Sequence, residues 1–402
     1  MLISIIMYII LVIIVILVGI VVYIKWNFRF WSSQPVFHIY DFHYYLFPPG
    51  IINKEITEKN RYCNFENIKV VNMHTMEDYK WTLLMHFIQK HYLQNKDNKF
   101  TPKRENIEPY FTGHNSKCLL SMYTEEDTIT DTKTQNIGTR DKLVSVMTTR
   151  PLHVTINNGN SDADFYVYYV DYLCVDKKYR KQGIAPQIIQ THEYMQRRMS
   201  KDIIISLFKR EGELTGIVPL CVYSSYGFEM DKWPKASALP NPLQIIEVGK
   251  TNIDIFFHFF QTNKQKYDIV LTPDMSNILE LVKSENIHIY LMIQNNDVIA
   301  AYIFKRSCTT CKNGVEVLSS IASINCCKDD DIYINGFKIS VDKAREKHPA
   351  YGYCVLEDIS DNKIIINNIQ SHFVEDSISP TAYFFYNFAY PTFDSKKVFL
   401  IE

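Results

Sequence analysis

The chain has 402 residues, of which 47% are hydrophobic and 14% aromatic, and its formal net charge at pH 7 is −1. A chain of this length favours two domains or two fused halves, and its apolar content excludes an intrinsically disordered protein. Because the net charge is close to zero, no general field attracts nucleic acid, and we expect no nucleic-acid partner. Nine cysteines without a disulfide-framework spacing indicate a reducing compartment.

The N-terminal segment predicts a membrane anchor. Residues 2–24 contain no charged side chain and are long enough to cross a bilayer as a helix. Lys25 and Arg29 follow this segment and no basic residue precedes it, so the body of the protein is predicted to face the cytosol below a single-pass anchor at residues 1–24. The alternative is a cleaved signal peptide, which the missing basic n-region disfavours.

The rest of the chain predicts two α/β halves. Residues 25–50 are rich in aromatic side chains and predict an extended arm. A polar, proline-containing run at residues 233–242 predicts the boundary between the halves 51–240 and 241–402. Apolar spacing predicts helices at residues 78–92, 185–199 and 276–284. Apolar, β-rich runs predict strands at residues 142–155, 165–175, 202–208, 243–248, 287–294 and 298–304.

Residues 172–186 combine a strand, a basic turn with one glycine, and the start of a helix. The first N–H groups of a helix have no internal acceptor, and the helix dipole favours negative charge at that end. Arg180, Gly183 and Ala185 have the spacing R-x-x-G-x-A, in which glycine allows the backbone to approach a phosphate closely. The segment therefore predicts a loop for the pyrophosphate of an acyl-coenzyme A, with an ordinary strand-to-helix turn as the alternative.

The cysteines do not predict covalent or metal chemistry. Cys174 lies in an apolar strand without a nearby histidine to activate it, which favours a buried structural thiol. Cys308 and Cys311 form a C-x-x-C pair, but Cys326 and Cys327 lack the usual two-residue gap of a zinc site, so no metal is predicted.

Segments distributed over about 370 residues resemble, in the same order, motifs of the N-myristoyltransferase family. They are residues 28–36 (FRFWSSQPV), 91–100 (HYLQNKDNKF), 172–186, 242–248 (PLQIIEV) and 383–388 (YFFYNF) followed by Lys397-Val398. The resemblance implies an α/β (α+β) fold of two fused acetyltransferase-like (GNAT-like) halves related by a pseudo-twofold axis. It also implies transfer of a myristoyl group from myristoyl-CoA, the co-substrate, to the N-terminal glycine of a peptide or protein.

The resemblance also assigns roles to individual residues. The C-terminal carboxylate on Glu402 would be the base, and the backbone amides of Tyr172 and Leu173 would form the oxyanion hole. Asp171, at a position where this chain departs from the family, is our own candidate for recognising the amine. Acyl-CoA would contact Phe28, Arg29, Phe30, Trp31, Cys174, Val175, Arg180, Lys181, Gln182, Gly183, Ile184 and Ala185. The acceptor peptide would contact Tyr92, Asp97, Phe100, Lys209, Tyr223 and Tyr383. The aromatic residues around Trp31 alternatively predict an interfacial belt below the anchor.

The chain departs from the family where the acceptor amine should bind. Asp171 replaces an asparagine and Asp176 a histidine of the first signature, and the second, glycine-rich signature is missing. Lys209 aligns with a threonine that seats the substrate's amino terminus; Asp171 could pair with that amine or with Lys209. Two further functions therefore remain open: a catalytically silent acyl-CoA or acyl-peptide scaffold, and a GNAT-type N-acetyltransferase. We expect a monomeric catalytic body, and the abundance of Asn, Ile, Lys and Tyr is typical of AT-rich genomes, including viral ones.

Overall fold

The computed structural model describes residues 2–47, 50–94, 98–130, 137–157, 163–212, 216–233, 235–311 and 314–402. Within these ranges, the helices are α1 (Leu2–Asn27), α2 (His43–Leu46), α3 (Asp78–His91), α4 (Arg104–Ile107), α5 (Ile184–Met199), α6 (Ile253–Asn263), α7 (Met275–Lys283), α8 (Asp330–Lys347) and α9 (Asn362–Gln370).

The strands are β1 (Gly50–Ile51), β2 (Ile68–Asn72), β3 (Asn98–Phe100), β4 (Leu119–Thr130), β5 (Ile137–Ile156), β6 (Ala163–Val170), β7 (Cys174–Val175), β8 (Ser206–Glu211), β9 (Cys221–Glu229), β10 (Gln244–Glu247), β11 (Ile269–Thr272), β12 (Ile287–Gln294), β13 (Asp297–Cys311), β14 (Glu316–Asn325), β15 (Tyr351–Glu357), β16 (Ser377–Tyr386), β17 (Phe388–Ala389) and β18 (Val398–Leu400).

Helix α1 projects from the body. The segment Ile3–Asn27 contains an 18-residue stretch with a mean hydropathy of 3.6 and is long and apolar enough to cross a membrane, a property that a signal sequence shares. The helix runs three residues beyond the predicted anchor, since the amide of Phe28 still donates to the carbonyl of Ile24.

The arm that follows α1 contains helical turns, so the prediction of an extended backbone at residues 25–50 is wrong. A 3-10 turn forms at Trp31–Ser33 and the short helix α2 follows ten residues later. The hydroxyls of Ser32 and Ser33 donate to the carbonyls of Arg29 and Phe30, and these local bonds favour the turn over an extended backbone.

The main sheet runs through both halves without a break. Its strand order among the described residues is β10-β12-β13-β14-β15-β9-β16-β8-β6-β5-β11-β18. Most neighbouring pairs are antiparallel, whereas β6 with β8, β14 with β15, and β11 with β18 are parallel. The largest apolar core includes Trp81 of α3, Phe256 of α6 and Leu281 of α7, and another contains Phe337 of α8 and Ile365 of α9.

The order of pairings is symmetric about the β9–β16 contact, which confirms two related halves. In the first half β6, α5 and β8 form a parallel crossover, and in the second half β14, α8 and β15 form its counterpart. Each half also exchanges strands with the other: β8 pairs with β16, and β15 pairs with β9. The halves are therefore interlocked.

Two strand predictions have wrong limits. The apolar run 202–208 becomes strand only from Ser206, although Ile203 and Ile205 are buried and the Ile205 carbonyl accepts from the Tyr168 amide at 2.9 Å. The run 165–175 divides at residues 171–173, since β7 turns away to pair with an earlier part of β5. This break is the local feature that the candidate site depends on.

Asn387 links the arm, the first half and β16. Its backbone is left-handed, with φ of 66°, and its amide donates to the Pro35 carbonyl at 2.6 Å. Its side chain accepts from the Asn53 amide at 2.7 Å and donates to the carbonyls of Asn53 and Ile204 at 2.8 and 2.9 Å.

We expect Asn387→Ala to lower the free energy of unfolding by about 3 kcal/mol, because it leaves buried backbone groups without partners. Chemical denaturation of the detergent-solubilised full chain measures this change. Asn367→Ala, on the exposed side of α9, is the matched control and should change stability by less than about 0.5 kcal/mol. Equal effects of the two substitutions would contradict the role of Asn387.

Candidate active site

The loop before α5 has the geometry of a phosphate site. Gly183 precedes the helix with φ of 79°, a left-handed conformation that glycine adopts without strain, and open space surrounds the position of a Cβ there. The N–H groups of Ile184 and Ala185 lie in the first turn, where a helix provides no acceptors. The side chains of Lys177, Lys178, Arg180 and Lys181 are exposed around this loop, as is Gln182.

The buried side chains of Asp176 and His91 lie against this loop. Asp176, one of the departures from the family motif, accepts from the Lys178 amide at 3.0 Å and lies 3.6 Å from Nδ1 of His91. Arg180 reaches back to the carbonyls of Val175 and His91, both at 3.3 Å. The aspartate therefore has a structural role in shaping the turn.

The predicted oxyanion amides lie at the break between β6 and β7. The Tyr172 amide donates to Oγ1 of Thr148 at 3.3 Å, and the Leu173 amide donates to the Asp171 carbonyl at 2.6 Å. Both donors have internal acceptors in this structure. A substrate carbonyl would have to replace these acceptors to use them.

A cavity of about 220 Å³ joins several residues that are far apart in sequence. Five of them were predicted from the sequence: Trp31, Tyr92, Asp171, Leu173 and Lys209. The remaining lining residues are Met147, Val170, Ile189, His192, Glu193, Gln196, Ser206, Phe208 and Tyr386. The cavity therefore connects the arm, the β6–β7 break, α5 and β8.

One wall of the cavity is an aromatic stack. The Trp31 ring stacks on Phe208 with centroids 5.3 Å apart, and Phe208 stacks on Phe384 at the same distance. Phe30 contacts Trp31 and Tyr62 edge-on at 5.2 and 5.1 Å. Phe28 is half-buried, whereas Arg29 is exposed with its guanidinium 4.8 Å from the Trp26 ring. Trp31 thus faces the body of the protein and not solvent.

The opposite wall is polar, which the sequence did not reveal. Helix α5 buries His192, Glu193 and Gln196 on this side. His192 is hydrogen-bonded to Ser121 and Thr149 at 2.7 and 2.8 Å, and burial lowers its pKa to about 4. Burial raises the pKa of Glu193 to about 7, despite the opposing effect of Arg197. The sequence offered one sign of this polar wall, because the polar residues of α5 lie among apolar residues of the same helix.

Asp171 pairs with Arg150 and not with Lys209. The Arg150 Nε donates to Asp171 Oδ2 at 2.8 Å, and the arginine is fully buried between the rings of Tyr110 and Tyr169. Its two terminal nitrogens have no hydrogen-bond partner among the residues that the structure describes. The predicted alternative of an Asp171–Lys209 pair is therefore wrong, because the Asp171 carboxylate is paired with the buried guanidinium of Arg150.

Lys209 is paired by two other carboxylates. Its Nζ lies 2.8 Å from Glu357 Oε1 and 3.1 Å from the side-chain Oε1 of Glu402, and Lys305 lies 3.8 Å from that same oxygen. Tyr223 donates to the other oxygen of Glu357 at 2.5 Å. We call Lys209, Lys305, Glu357 and Glu402 the buried ion cluster. The sequence did not predict Glu357 and Lys305. Glu357 resembles any charged residue at the end of a strand, and Lys305 resembles any surface lysine, so no local pattern marks either one.

The cluster fixes the protonation of its members. Burial alone would lower the pKa of Lys209, but Glu357 and Glu402 raise it well above its ordinary value. Burial would raise the pKa of the Glu402 side chain, but Lys209 and Lys305 outweigh this effect and hold the pKa below its usual range. The Lys209 ammonium and the Glu402 carboxylate are therefore both ionised at neutral pH.

The predicted peptide-side residues form two aromatic groups. The rings of Tyr92, Phe100 and Tyr172 lie within 5.2–6.2 Å of one another. Tyr223 and Tyr383 stack at 5.9 Å, and the Lys209 ammonium lies 5.5 Å from the Tyr383 ring. Asp97 lies outside the described residues.

Cys174 is a buried thiol. Burial raises the pKa of Cys174 to about 12, so its thiolate is scarce at neutral pH and a nucleophilic role is disfavoured. Among the residues that the structure describes, no group of three or more His, Cys, Asp or Glu side chains is arranged to hold a metal ion.

Comparisons with known proteins find one matching family model and several solved structures with a similar fold. Residues 52–221 match the model of the myristoyl-CoA:protein N-myristoyltransferase N-terminal domain. A crystal structure of Saccharomyces cerevisiae N-myristoyltransferase with bound myristoyl-CoA matches with a TM-score of 0.68 at 13% identity, covering 91% of this chain and 94% of that one. A second yeast structure with myristoyl-CoA also has a TM-score of 0.68, at 14% identity over 91% and 90% of the two chains. A search among curated protein sequences finds no match.

The raised pKa of Glu193 makes stability depend on pH. Because burial moves this pKa from 4.5 to about 7, the folded protein retains a proton that the unfolded chain loses over that interval. The contribution of Glu193 to the free energy of unfolding should therefore be highest below about pH 4.5. It should fall by up to about 3 kcal/mol as the pH rises through 7. Glu193→Gln removes this titration.

Unfolding free energies of wild type and Glu193→Gln, measured at intervals from pH 5 to pH 8, test the effect. We expect the variant to gain stability relative to wild type as the pH rises. A constant difference between the two proteins over this range would show that Glu193 does not titrate there.

Proposed function

We propose that this chain is a divergent member of the N-myristoyltransferase family and a membrane-anchored N-acyltransferase that moves a myristoyl group from CoA to the N-terminal glycine of a protein. The observation that supports this function is one cavity that is lined by Trp31, Leu173, Asp171 and Lys209 together. The resemblance assigns these residues to the acyl-CoA, the thioester carbonyl and the acceptor amine.

The α5 loop suits the CoA phosphates. The left-handed Gly183, the open space beside it and the free N–H groups of the first helical turn provide neutral donors to phosphate oxygens. The exposed Lys177, Lys178, Arg180 and Lys181 add positive charge. The site therefore matches a polyanionic group attached to an apolar chain.

The apolar part of the cavity lining suits the acyl chain. Trp31, Met147, Val170, Ile189 and Phe208 provide the apolar contacts. Each buried methylene contributes about 0.8 kcal/mol to binding, so a pocket of fixed depth discriminates strongly between acyl chain lengths.

The transfer step forms an amide bond and breaks the thioester C–S bond. The acceptor amine must be neutral to attack, and the CoA sulfur leaves as a thiolate that takes up a proton. We assign the proton of the attacking amine to the α-carboxylate of Glu402. Its side-chain carboxylate is a poor base, because Lys209 and Lys305 hold its pKa below the usual range.

A catalytically silent acyl-CoA-binding scaffold is the second candidate. The observation that favours it is that Glu357 and Glu402 both pair with Lys209, so an incoming ammonium would have to share these carboxylates with the lysine. The phosphate loop and the cavity are the same in either case.

The decisive assay uses the full chain in lipid nanodiscs with myristoyl-CoA and a panel of glycine-starting peptides. We expect release of CoA together with peptides heavier by one myristoyl group, and at least tenfold slower transfer from acetyl-CoA. The same peptides with acetylated N-termini are the control and should give no transfer. Tight myristoyl-CoA binding without any transfer would select the silent scaffold, and absence of binding would exclude both.

Gly183→Ala should weaken binding of myristoyl-CoA about tenfold, because an alanine at φ of 79° costs roughly 1–2 kcal/mol and shifts the loop. The matched control is Gly314→Ala, which has φ of 84° and equally open surroundings but lies in the turn between β13 and β14. Calorimetry should show unchanged affinity for the control. Equal affinities of the two variants would contradict the phosphate role of the loop.

A further inference from the structure

The arm carries an exposed apolar patch that the active site does not use. Ile39, Phe42, Tyr45, Leu46 and Phe47 are 43%, 57%, 53%, 78% and 56% exposed, and we call these residues the arm patch. Trp31, by contrast, turns inward onto Phe208. Contiguous exposed apolar side chains of this kind mark an interaction surface.

The arm patch begins beside the last turn of α1. Ile24 is buried against the body, with its side-chain atoms 3.0 Å from where a Cβ of Gly216 would lie. The Gly216 carbonyl accepts from the Ile39 amide at 3.1 Å. The Lys25 ammonium lies 5.8 Å from the ring of Tyr40, which is next in the chain to Ile39.

The length of α1 determines where this contact lies relative to a bilayer. The 25 residues Ile3–Asn27 extend about 37 Å at 1.5 Å per residue, whereas the hydrocarbon core is about 30 Å thick. The last turn, with Tyr23 and Trp26 exposed, therefore lies at headgroup level. Because Ile24 of that turn already contacts the body, the body cannot stand away from the membrane on a linker.

We propose that the arm patch inserts into the interfacial layer of the bilayer that α1 spans. This inference rests on the membrane anchor of the proposed function. Aromatic side chains such as Phe42, Tyr45 and Phe47 favour that layer, as do those of Tyr23 and Trp26 beside them. Two membrane contacts, α1 and the arm patch, then lie on either side of Trp31 in the chain. The aromatic wall of the cavity, which contains Trp31, therefore lies close to lipid.

Photo-crosslinking of the full chain in phosphatidylcholine–phosphatidylserine liposomes tests the proposal. A benzoylphenylalanine is placed singly at Phe42, Leu46 or Val374, and lipid adducts are quantified by mass spectrometry. Val374 is the matched control: it is apolar, 86% exposed, and precedes Ser377, which pairs with Gly227 at the opposite end of β9 from the arm. We expect lipid adducts at Phe42 and Leu46 at least fivefold above those at Val374.

A probe at Val15, which is 62% exposed in the middle of α1, separates this inference from the anchor itself. Lipid adducts at Val15 but not at Leu46 would overturn the inference and leave the anchor intact. Absence of adducts at Val15 would contradict both. Protein–protein adducts at Leu46 would identify a second copy or another protein as the occupant and would also overturn it.

The substitutions Leu46→Glu and Phe47→Glu together provide an independent check. Both side chains are exposed, so the fold should tolerate them. We expect the lipid adducts of the Phe42 probe to fall at least fivefold while those of the Val15 probe are unchanged. Unchanged adducts at Phe42 would contradict insertion of the patch.

Discussion

The buried ion cluster is the interaction on which the rest of the site depends. Lys209 belongs to the first half, whereas Glu357 ends a strand of the second half and Glu402 follows β18. Removing one partner from a buried ion pair costs about 3–5 kcal/mol, because the remaining charge stays out of water. The cluster therefore joins the interlocked halves and fixes the charges at the inner end of the cavity.

The same cluster limits the chemistry of the proposed acceptor site. A charged Lys209 repels an incoming ammonium, and both carboxylates beside it already pair with this lysine. Asp171 pairs with Arg150. An acceptor amine at the proposed site would therefore have to arrive neutral or exchange with an existing ion pair, whereas the proposed phosphate loop needs no such exchange.

The parts of the site that depend on local chain geometry could be predicted from the sequence. Gly183 and the start of α5 follow from a glycine before an amphipathic helix, and Trp31 and Lys209 were assigned through the family resemblance. The parts that depend on pairing across the sheet could not be predicted. Arg150, Lys305 and Glu357 reach the candidate site only because distant strands bring them to Asp171, Glu402 and Lys209. The break at residues 171–173 was missed for the same reason, since the partner of β7 is chosen by the sheet.

In the proposed function, one acyl-CoA occupies the α5 loop and the cavity together. A crystal structure of the full chain with a non-hydrolysable thioether analogue of myristoyl-CoA would show whether it does. We expect the pyrophosphate at the amides of Ile184 and Ala185 and the alkyl chain between Trp31 and α5. An alkyl chain bound elsewhere, or phosphates away from the α5 loop, would contradict it.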